Sequence, residues 1–173
     1  GNHNPVGSYK RFFEIPANWK GKEIFLHAGA VSSVFNLWIN GEYVGYSEDC
    51  KTPAEFNLTK YLKKGPNSIS MEIFRWSDGA YLEDQDFWRM SGSTRDIYLQ
   101  ARNPQHIRDF RVNSGLDETY KNGIFSLNVE IVNPVEIQSP MIVEAQLNDG
   151  GNTLKSFSRE LTAPKGASFV SFQ

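Results

Sequence analysis

Short runs in which apolar and polar residues alternate are the dominant pattern of this chain. A period of two predicts half-buried β-strands, because successive side chains of a strand point to opposite faces of its sheet. In the first part of the chain these runs lie at residues 8–15, 23–28, 34–39, 67–74 and 96–101. Asn40-Gly41 is a strong hairpin signal and is predicted to join residues 34–39 to residues 43–47. Trp38, in a strand with Phe35 and Leu37, is expected to pack in the core or between sheets.

One segment of this first part has a helical pattern instead. Leu58, Tyr61 and Leu62 stand at i, i+3 and i+4 spacing within residues 57–64. Gly65-Pro66 follows and is a suitable stop for a short helix. The pattern therefore predicts one brief helix among the strands.

Asn103-Pro104 interrupts the alternation and predicts a boundary between two domains, residues 1–103 and 104–173. Alternating runs resume at residues 107–112, 124–132, 141–147 and 154–161. Short strands with a turn every ten or so residues are typical of β-sandwiches, so the chain is predicted to be all-β. The second domain has only about 70 residues, fewer than the roughly 100 of an immunoglobulin-like domain, and is expected to be truncated.

Composition and charge exclude some classes of partner. The chain has 173 residues, of which 22% are charged, and its formal net charge is -2. This near-neutral balance gives no electrostatic reason to expect nucleic acid or an anionic membrane as a partner. No apolar run approaches the ~20 residues that a membrane helix needs. Cys50 is the only cysteine and has no histidine nearby, so it is expected to behave as a small hydrophobic residue.

The candidate chemistry is concentrated in residues 75–92, a segment too irregular to be a strand or a helix. Four carboxylates and four aromatic rings share this stretch: Asp78, Glu83, Asp84, Asp86, Trp76, Tyr81, Phe87 and Trp88. Aromatic faces beside hydrogen-bonding carboxylates suit a sugar, which has apolar C–H patches and a ring of hydroxyls. From the residues alone, the segment either catalyses a reaction, binds a sugar or stabilises the fold.

A set of short motifs runs through residues 4–112 of the chain. They are N-P-V-G at 4–7, F-N-L-W-I-N-G at 35–41, V-G-Y at 44–46, E-F-N-L at 55–58, L-K-K-G-P-N at 62–67, and W-S-D-G, E-D-Q-D and W-R-M-S-G within 76–92. Together they resemble the N-terminal region of the β-galactosidases of glycoside hydrolase family two. The motifs within 76–92 are the most specific, and they are more similar to the long-chain β-galactosidases than to the β-glucuronidases or β-mannosidases.

This resemblance implies a jelly-roll sugar-binding domain at residues 1–103, followed by an incomplete immunoglobulin-like β-sandwich at residues 104–173. In the family a TIM barrel comes next and carries both catalytic glutamates, so no catalytic residue is expected in this chain. The chain is expected to be inactive alone. The implied partners are galactosides, the downstream TIM barrel of the same chain, and further copies of the parent enzyme in a homo-oligomer.

Asp86 receives the most specific role from the resemblance. In the family the last aspartate of E-D-Q-D reaches into the active site of the barrel, where it ligates sodium and lies near the galactose 6-hydroxyl. A carboxylate oxygen can do both. The alternative is that Asp86 caps its own loop or forms an ion pair within it, for example with Arg75 or Arg89. Trp76 and Trp88 are the candidates to line a sugar subsite, although aromatic residues of loops more often brace the loop.

Asp78 and Glu48 are implied to bind magnesium. The family's aspartate in W-S-D-G helps to hold a structural Mg²⁺ with a side chain just after V-G-Y, and that position is Glu48 here. Carboxylate oxygens suit this ion. The other ligands in the family come from an N-terminal arm outside residues 1–173, so an occupied magnesium site is not expected in this chain alone.

Two other functions compete with that of an enzyme's N-terminal part. The runner-up is a stand-alone carbohydrate-binding module, because jelly rolls commonly bind sugars on a sheet face or a loop. The third is a small glycosidase that uses Asp78 and Asp86 as its carboxylate pair. It needs a deep cleft and a raised carboxyl pKa, and no feature of the sequence demands either.

Overall fold

A computed structural model describes residues 3–86, 88–134, 140–162 and 164–173. The chain divides into two compact units, Gly1–Arg102 and Asn103–Gln173. Regular structure in the described residues is almost entirely β-strand in antiparallel sheets. The all-β class predicted from the alternation is therefore confirmed. Among the helices of these residues, none is long and apolar enough to cross a membrane.

The first unit contains nine of the described strands and one short α-helix. The strands are β1 (Val6–Phe13), β2 (Glu23–Ala28), β3 (Val31–Ser32), β4 (Val34–Ile39), β5 (Glu42–Ser47), β6 (Ala54–Asn57), β7 (Asn67–Phe74), β8 (Gly92–Ser93) and β9 (Ile97–Arg102). The helix, α1, spans Asp78–Leu82, and single 3-10 turns span Ala17–Trp19 and Thr59–Tyr61. The helix predicted within residues 57–64 is thus only the second of these turns. The turn does not continue because Leu62 is extended, and the Tyr61 carbonyl and the Lys63 amide bond the side chains of Asn40 and Asn67, each at 2.9 Å.

A sandwich of two sheets encloses the core of the first unit. One sheet has the order β1-β7-β4-β5 and the other the order β6-β2-β9. Buried side chains from both sheets meet between them, among them Leu26, Phe35, Leu37, Ile39, Met71 and Ile73. Trp38 does not join this core, so the expectation that it packs there is wrong. It lies between the inward-facing Leu37 and Ile39, and the period of two turns it to the outer face.

The hairpin predicted at Asn40-Gly41 is confirmed. Asn40 and Gly41 both have positive φ, 53° and 87°, as the two central residues of a type I′ turn require. The turn joins β4 to β5, which pair from Phe35↔Ser47 to Ile39↔Glu42.

Asn67 fixes the same end of the sandwich from the inside. It is 1% exposed and makes four hydrogen bonds. Its Oδ1 accepts from the Lys63 amide at 2.9 Å and from Asn40 Nδ2 at 2.8 Å. Its Nδ2 donates to the carbonyls of Lys63 at 3.0 Å and Gly65 at 2.9 Å. The loop before β7 and the β4–β5 hairpin are therefore held together by one buried amide.

The second unit contains the remaining described strands. They are β10 (His106–Leu116), β11 (Gly123–Asn133), β12 (Met141–Asp149), β13 (Asn152–Leu161) and β14 (Gly166–Phe172). They form a sheet of order β10-β11-β14 and a β12-β13 pair, and their core contains Val129, Ile131, Val143, Val170 and Phe172.

The core of the second unit leaves part of β10 uncovered. Ile107 and Phe110 stand opposite Ile131 and Val129, which point into the core, yet both are exposed. Residues directly opposite each other share one face of a sheet, so β10 presents apolar side chains on the core side. The prediction that this domain is incomplete stays a prediction.

We expect Asn67→Ala to lower the free energy of unfolding of the first unit by about 2–4 kcal/mol, because it leaves several buried polar groups unpaired. All four tryptophans of the chain lie before residue 103, so urea unfolding followed by tryptophan fluorescence reports on this unit. Lys64→Ala, at an exposed position of the same loop, is the control. Equal stability of the two variants would contradict the structural role of Asn67.

Candidate functional site

Residues 75–92, here named the acidic loop, belong to the first unit and connect β7 to β8. The start of the loop is tied to the N-terminal segment. Asn4 Nδ2 donates to the Trp76 carbonyl at 2.9 Å, and the Trp76 amide donates to Asn4 Oδ1 at 3.0 Å. The Arg75 amide also donates to the Pro5 carbonyl, at 3.0 Å. The Asn4-Pro5 motif thus fixes where the loop begins.

Helix α1 lies at the beginning of the loop, so the prediction that residues 75–92 are too irregular to form a helix is wrong. Contacts from Ser77 and Glu48 hold this helix in place. Ser77 caps it, because its Oγ accepts from the Ala80 amide at 3.2 Å. Glu48, which follows β5, accepts from the Gly79 amide through Oε1 at 3.1 Å. A Cβ on residue 79 would lie 2.8 Å from the Glu48 carbonyl oxygen, so this close approach requires glycine.

Asp78 and Glu48, the predicted magnesium ligands, are neighbours in the structure. A hydrogen bond with the Glu48 side chain lowers the pKa of Asp78, and a backbone N–H contributes less. Two adjacent carboxyl groups either share a proton or hold a cation between them. Two oxygen donors fit Mg²⁺ only as part of a larger set. In the described parts of the chain, no group of three or more His, Cys, Asp or Glu residues is placed to hold a metal ion.

Glu83 holds the middle of the loop against the segment that follows β5. Its carboxylate accepts from the Cys50 amide, at 3.1 Å to Oε2 and 3.5 Å to Oε1. Cys50 is buried, and its thiol lies 3.6 Å from the Ser33 carbonyl. Burial, followed by the charge of Glu83, raises the pKa of this thiol. Glu83 and Cys50 therefore anchor the loop.

The two arginines proposed as partners of Asp86 have other contacts. Arg89 forms an ion pair with Asp84, and the Arg75 guanidinium lies over the Trp76 ring, 5.1 Å from its centroid. Asp86 is exposed and makes no hydrogen bond or ion pair with any residue that the structure describes. Neither of these ion pairs forms among the described residues, and the role of Asp86 stays a prediction. Within those residues, no group bonds the carboxylate oxygens of Asp86.

The two tryptophans of the loop differ in their surroundings. Trp76 stacks on Tyr81 with ring centroids 6.0 Å apart and an angle of 25° between the planes. Trp88 is 86% exposed. Both line a narrow cleft with Arg75, Glu83, Asp84 and Arg89, and Trp88 also lines a cavity of about 420 Å³ with Lys51, Met90 and Arg95. Trp76 is thus stacked within the loop, whereas Trp88 presents an open aromatic face, and sugar contact by either ring stays a prediction. Phe87 lies outside the described residues.

Three residues hold the loop in an anchoring role that the sequence does not predict. They are Asn4, Ser77 and Glu83. A serine just before a helix is a recognisable capping signal, so Ser77 could have been found. The partners of Asn4 and Glu83 are 72 and 33 residues away along the chain, and no local pattern reports such contacts.

Comparison with known proteins gives a family match and similar enzymes. Residues 1–103 match the sequence model of the family described as "Glycosyl hydrolases family 2, sugar binding domain". The chain is 51% identical over 134 residues to a β-galactosidase of Priestia megaterium, covering 78% of this chain and 13% of that protein. It is 40% identical over 166 residues to a β-galactosidase of Clostridium acetobutylicum, covering 92% and 18%. The chain thus spans less than a fifth of the length of these relatives.

Solved structures share the fold at low sequence identity. A β-glucuronidase of Bacteroides uniformis superimposes with a TM-score of 0.86 at 22% identity, covering 98% of this chain and 21% of that chain. A putative β-galactosidase of Bacteroides fragilis gives a TM-score of 0.81 at 18% identity, covering 98% and 27%.

We expect the Cys50 thiol to be unreactive toward a disulfide reagent at neutral pH, because it is buried and its pKa lies above the ordinary value of 9.0. Absorbance on addition of the reagent measures the rate, and the same chain unfolded in urea gives the reference. Ser114→Cys in a Cys50→Ala background places a thiol at an exposed position and is the control. A native rate equal to that of the unfolded chain would refute the anchoring role of Cys50.

Proposed function

Because the chain belongs to glycosyl hydrolase family 2, we propose that it is the N-terminal, non-catalytic part of a β-galactosidase, an enzyme that hydrolyses terminal β-galactosides. The β-galactosidases to which it is 40–51% identical support this substrate class. A downstream TIM barrel of the same chain supplies the two catalytic glutamates. The parent enzyme is a homo-oligomer.

The acidic loop contributes to the galactose subsite of that enzyme. One observation carries this proposal: Asp86 is exposed and free of described partners, while Glu83 and Asp84 are engaged in contacts that hold the loop. In the assembled enzyme, the Asp86 carboxylate would supply a ligand for sodium and an acceptor for a galactose hydroxyl. Trp88 offers its open face to the apolar side of the sugar.

Asp78 is unsuited to the acid role that a small self-contained glycosidase would need. A retaining glycosidase requires a carboxylic acid of raised pKa about 5–5.5 Å from a second carboxylate. The pKa of Asp78 is lowered by its hydrogen bond with Glu48, which is the wrong direction. Because the two catalytic glutamates are proposed to lie in the TIM barrel, the chain by itself is expected to be inactive. Asp78 and Glu48 instead contribute two ligands to a magnesium ion whose other ligands lie outside residues 1–173.

In the full-length enzyme, we expect Asp86→Ala to lower kcat/KM for lactose about 10–100-fold and to weaken the dependence of activity on sodium. The loss of a hydrogen bond to a charged group accounts for this magnitude. Steady-state kinetics over a series of sodium concentrations, with osmotic strength held constant, measures both effects.

Gln85→Ala is the matched control, since Gln85 is an exposed residue next to Asp86 in the same loop. Equal effects of the two substitutions, or no effect of Asp86→Ala on either quantity, would refute the subsite role. Hydrolysis of an aryl β-galactoside by the 173-residue chain alone would refute the non-catalytic assignment. Tight galactose binding by the chain alone, abolished in Asp86→Ala, would favour a stand-alone carbohydrate-binding module.

A further inference from the structure

The outward face of the sheet β1-β7-β4-β5 carries two adjacent rows of side chains that the acidic loop does not share. Strand register places four residues across each row. The first row is Ser8, Glu72, Asn36 and Tyr46, and the second is Lys10, Ser70, Trp38 and Tyr43. We name these eight residues the outer platform. With strands about 4.8 Å apart, each row extends about 14 Å, enough for more than one sugar ring.

The β4–β5 side of the outer platform is aromatic. Trp38 and Tyr43 stand opposite each other with ring centroids 5.6 Å apart, and Tyr46 is in the neighbouring row. Tyr43 is 52% exposed and Tyr46 is 59% exposed. The core of the sandwich is on the other face of the sheet, where Leu37 is 0% exposed. These rings therefore do not contribute to the core. A group of exposed aromatic rings is typical of a surface that binds a ligand.

The other side of the outer platform is polar and largely uncommitted. Glu72 is half-buried, and no hydrogen bond or ion pair joins it to another residue of the described ranges. Asn36 accepts from the Tyr43 hydroxyl through Oδ1 at 3.2 Å, which orients the amide and leaves its N–H donors for another acceptor. Carboxylate and amide groups therefore stand beside the aromatic faces, ready to bond hydroxyls.

We propose that the outer platform is a second sugar site, which binds a neutral oligosaccharide along the sheet face. Aromatic faces match the C–H patches of sugar rings, and the adjacent polar groups match their hydroxyls. Lys10 and Glu72 are the charged members of the platform, and their opposite charges cancel. This disfavours the binding of nucleic acid and of acidic glycans. An open face, unlike a closed pocket, accepts a chain of several sugar units.

This site goes beyond the galactose subsite proposed for the acidic loop, because the two share no residue. Its role is to hold an oligomeric substrate or a glycan to the enzyme while the subsite near the barrel accepts a single terminal galactose. The affinity of an oligosaccharide for the outer platform therefore rises with the number of its sugar units.

Amide and indole NMR spectra of the 173-residue chain, titrated with lactose and with a β-1,4-linked galactotetraose, test this proposal. We expect saturable shifts of the Trp38 indole signal and tighter binding of the tetrasaccharide. We expect Tyr46→Ala to weaken tetrasaccharide binding about tenfold, because it removes a stacking face. Glu72→Gln, which preserves shape, is expected to weaken it by a smaller factor.

Tyr98→Ala is the matched control, because Tyr98 is a similarly exposed tyrosine on β9 of the opposite sheet. Each variant is first checked for native signal dispersion. The proposal is wrong if the tetrasaccharide produces no saturable shift at Trp38, if shifts are confined to Trp76 and Trp88, or if Tyr46→Ala behaves as Tyr98→Ala does. It is also wrong if light scattering shows that the outer platform is covered by a second copy of the chain, so that Tyr46→Ala yields a monomer.

Discussion

The acidic loop depends on side-chain oxygens that reach its backbone or hold it to the strands from distant parts of the chain. Backbone amides outside regular structure need partners, and a loop without them would not keep one conformation. Asn4 Oδ1 accepts from Trp76, Glu48 accepts from Gly79, and the loop's own Glu83 accepts from Cys50. These contacts join the loop to the segments before β1 and after β5. The sandwich thereby holds the loop in one conformation.

This arrangement divides the acidic residues of the loop by task. Glu83 anchors, Asp84 pairs with Arg89, and Asp78 shares a hydrogen bond with Glu48. Asp86 alone of the four keeps its oxygens free of partners among the described residues. Arg89 is paired with Asp84, and Arg75 lies over the Trp76 ring, so neither arginine neutralises Asp86. This supports the proposal that Asp86 binds a ligand. The residues of the outer platform are positioned differently, because strand pairing in a regular sheet brings together residues that are distant in sequence.

The strands and the Asn40-Gly41 hairpin were predictable because alternation and turn chemistry are local signals. The predicted helix within residues 57–64 is only one 3-10 turn, because the side chains of Asn40 and Asn67, which lie outside the segment, bond the Tyr61 carbonyl and the Lys63 amide. Trp38 lies on the outer face in spite of its hydrophobic side chain, because the period of two fixes which face each residue of β4 occupies. The roles that the motifs imply for Asp78 and Asp86 in the loop, and for Glu48 after β5, stay predictions. The anchoring by Asn4 and Glu83 was beyond prediction, because those contacts depend on how distant strands pack.

Amide hydrogen exchange of the 173-residue chain tests most directly whether the sandwich holds the acidic loop in place. If it does, the amides of Trp76, Gly79 and Cys50 exchange far more slowly than in an unfolded chain, and Glu83→Gln weakens the protection of Cys50. Exchange of all three amides at the rate of an unfolded chain would contradict the account, because Asp86 and Trp88 would then have no fixed position from which to bind a sugar.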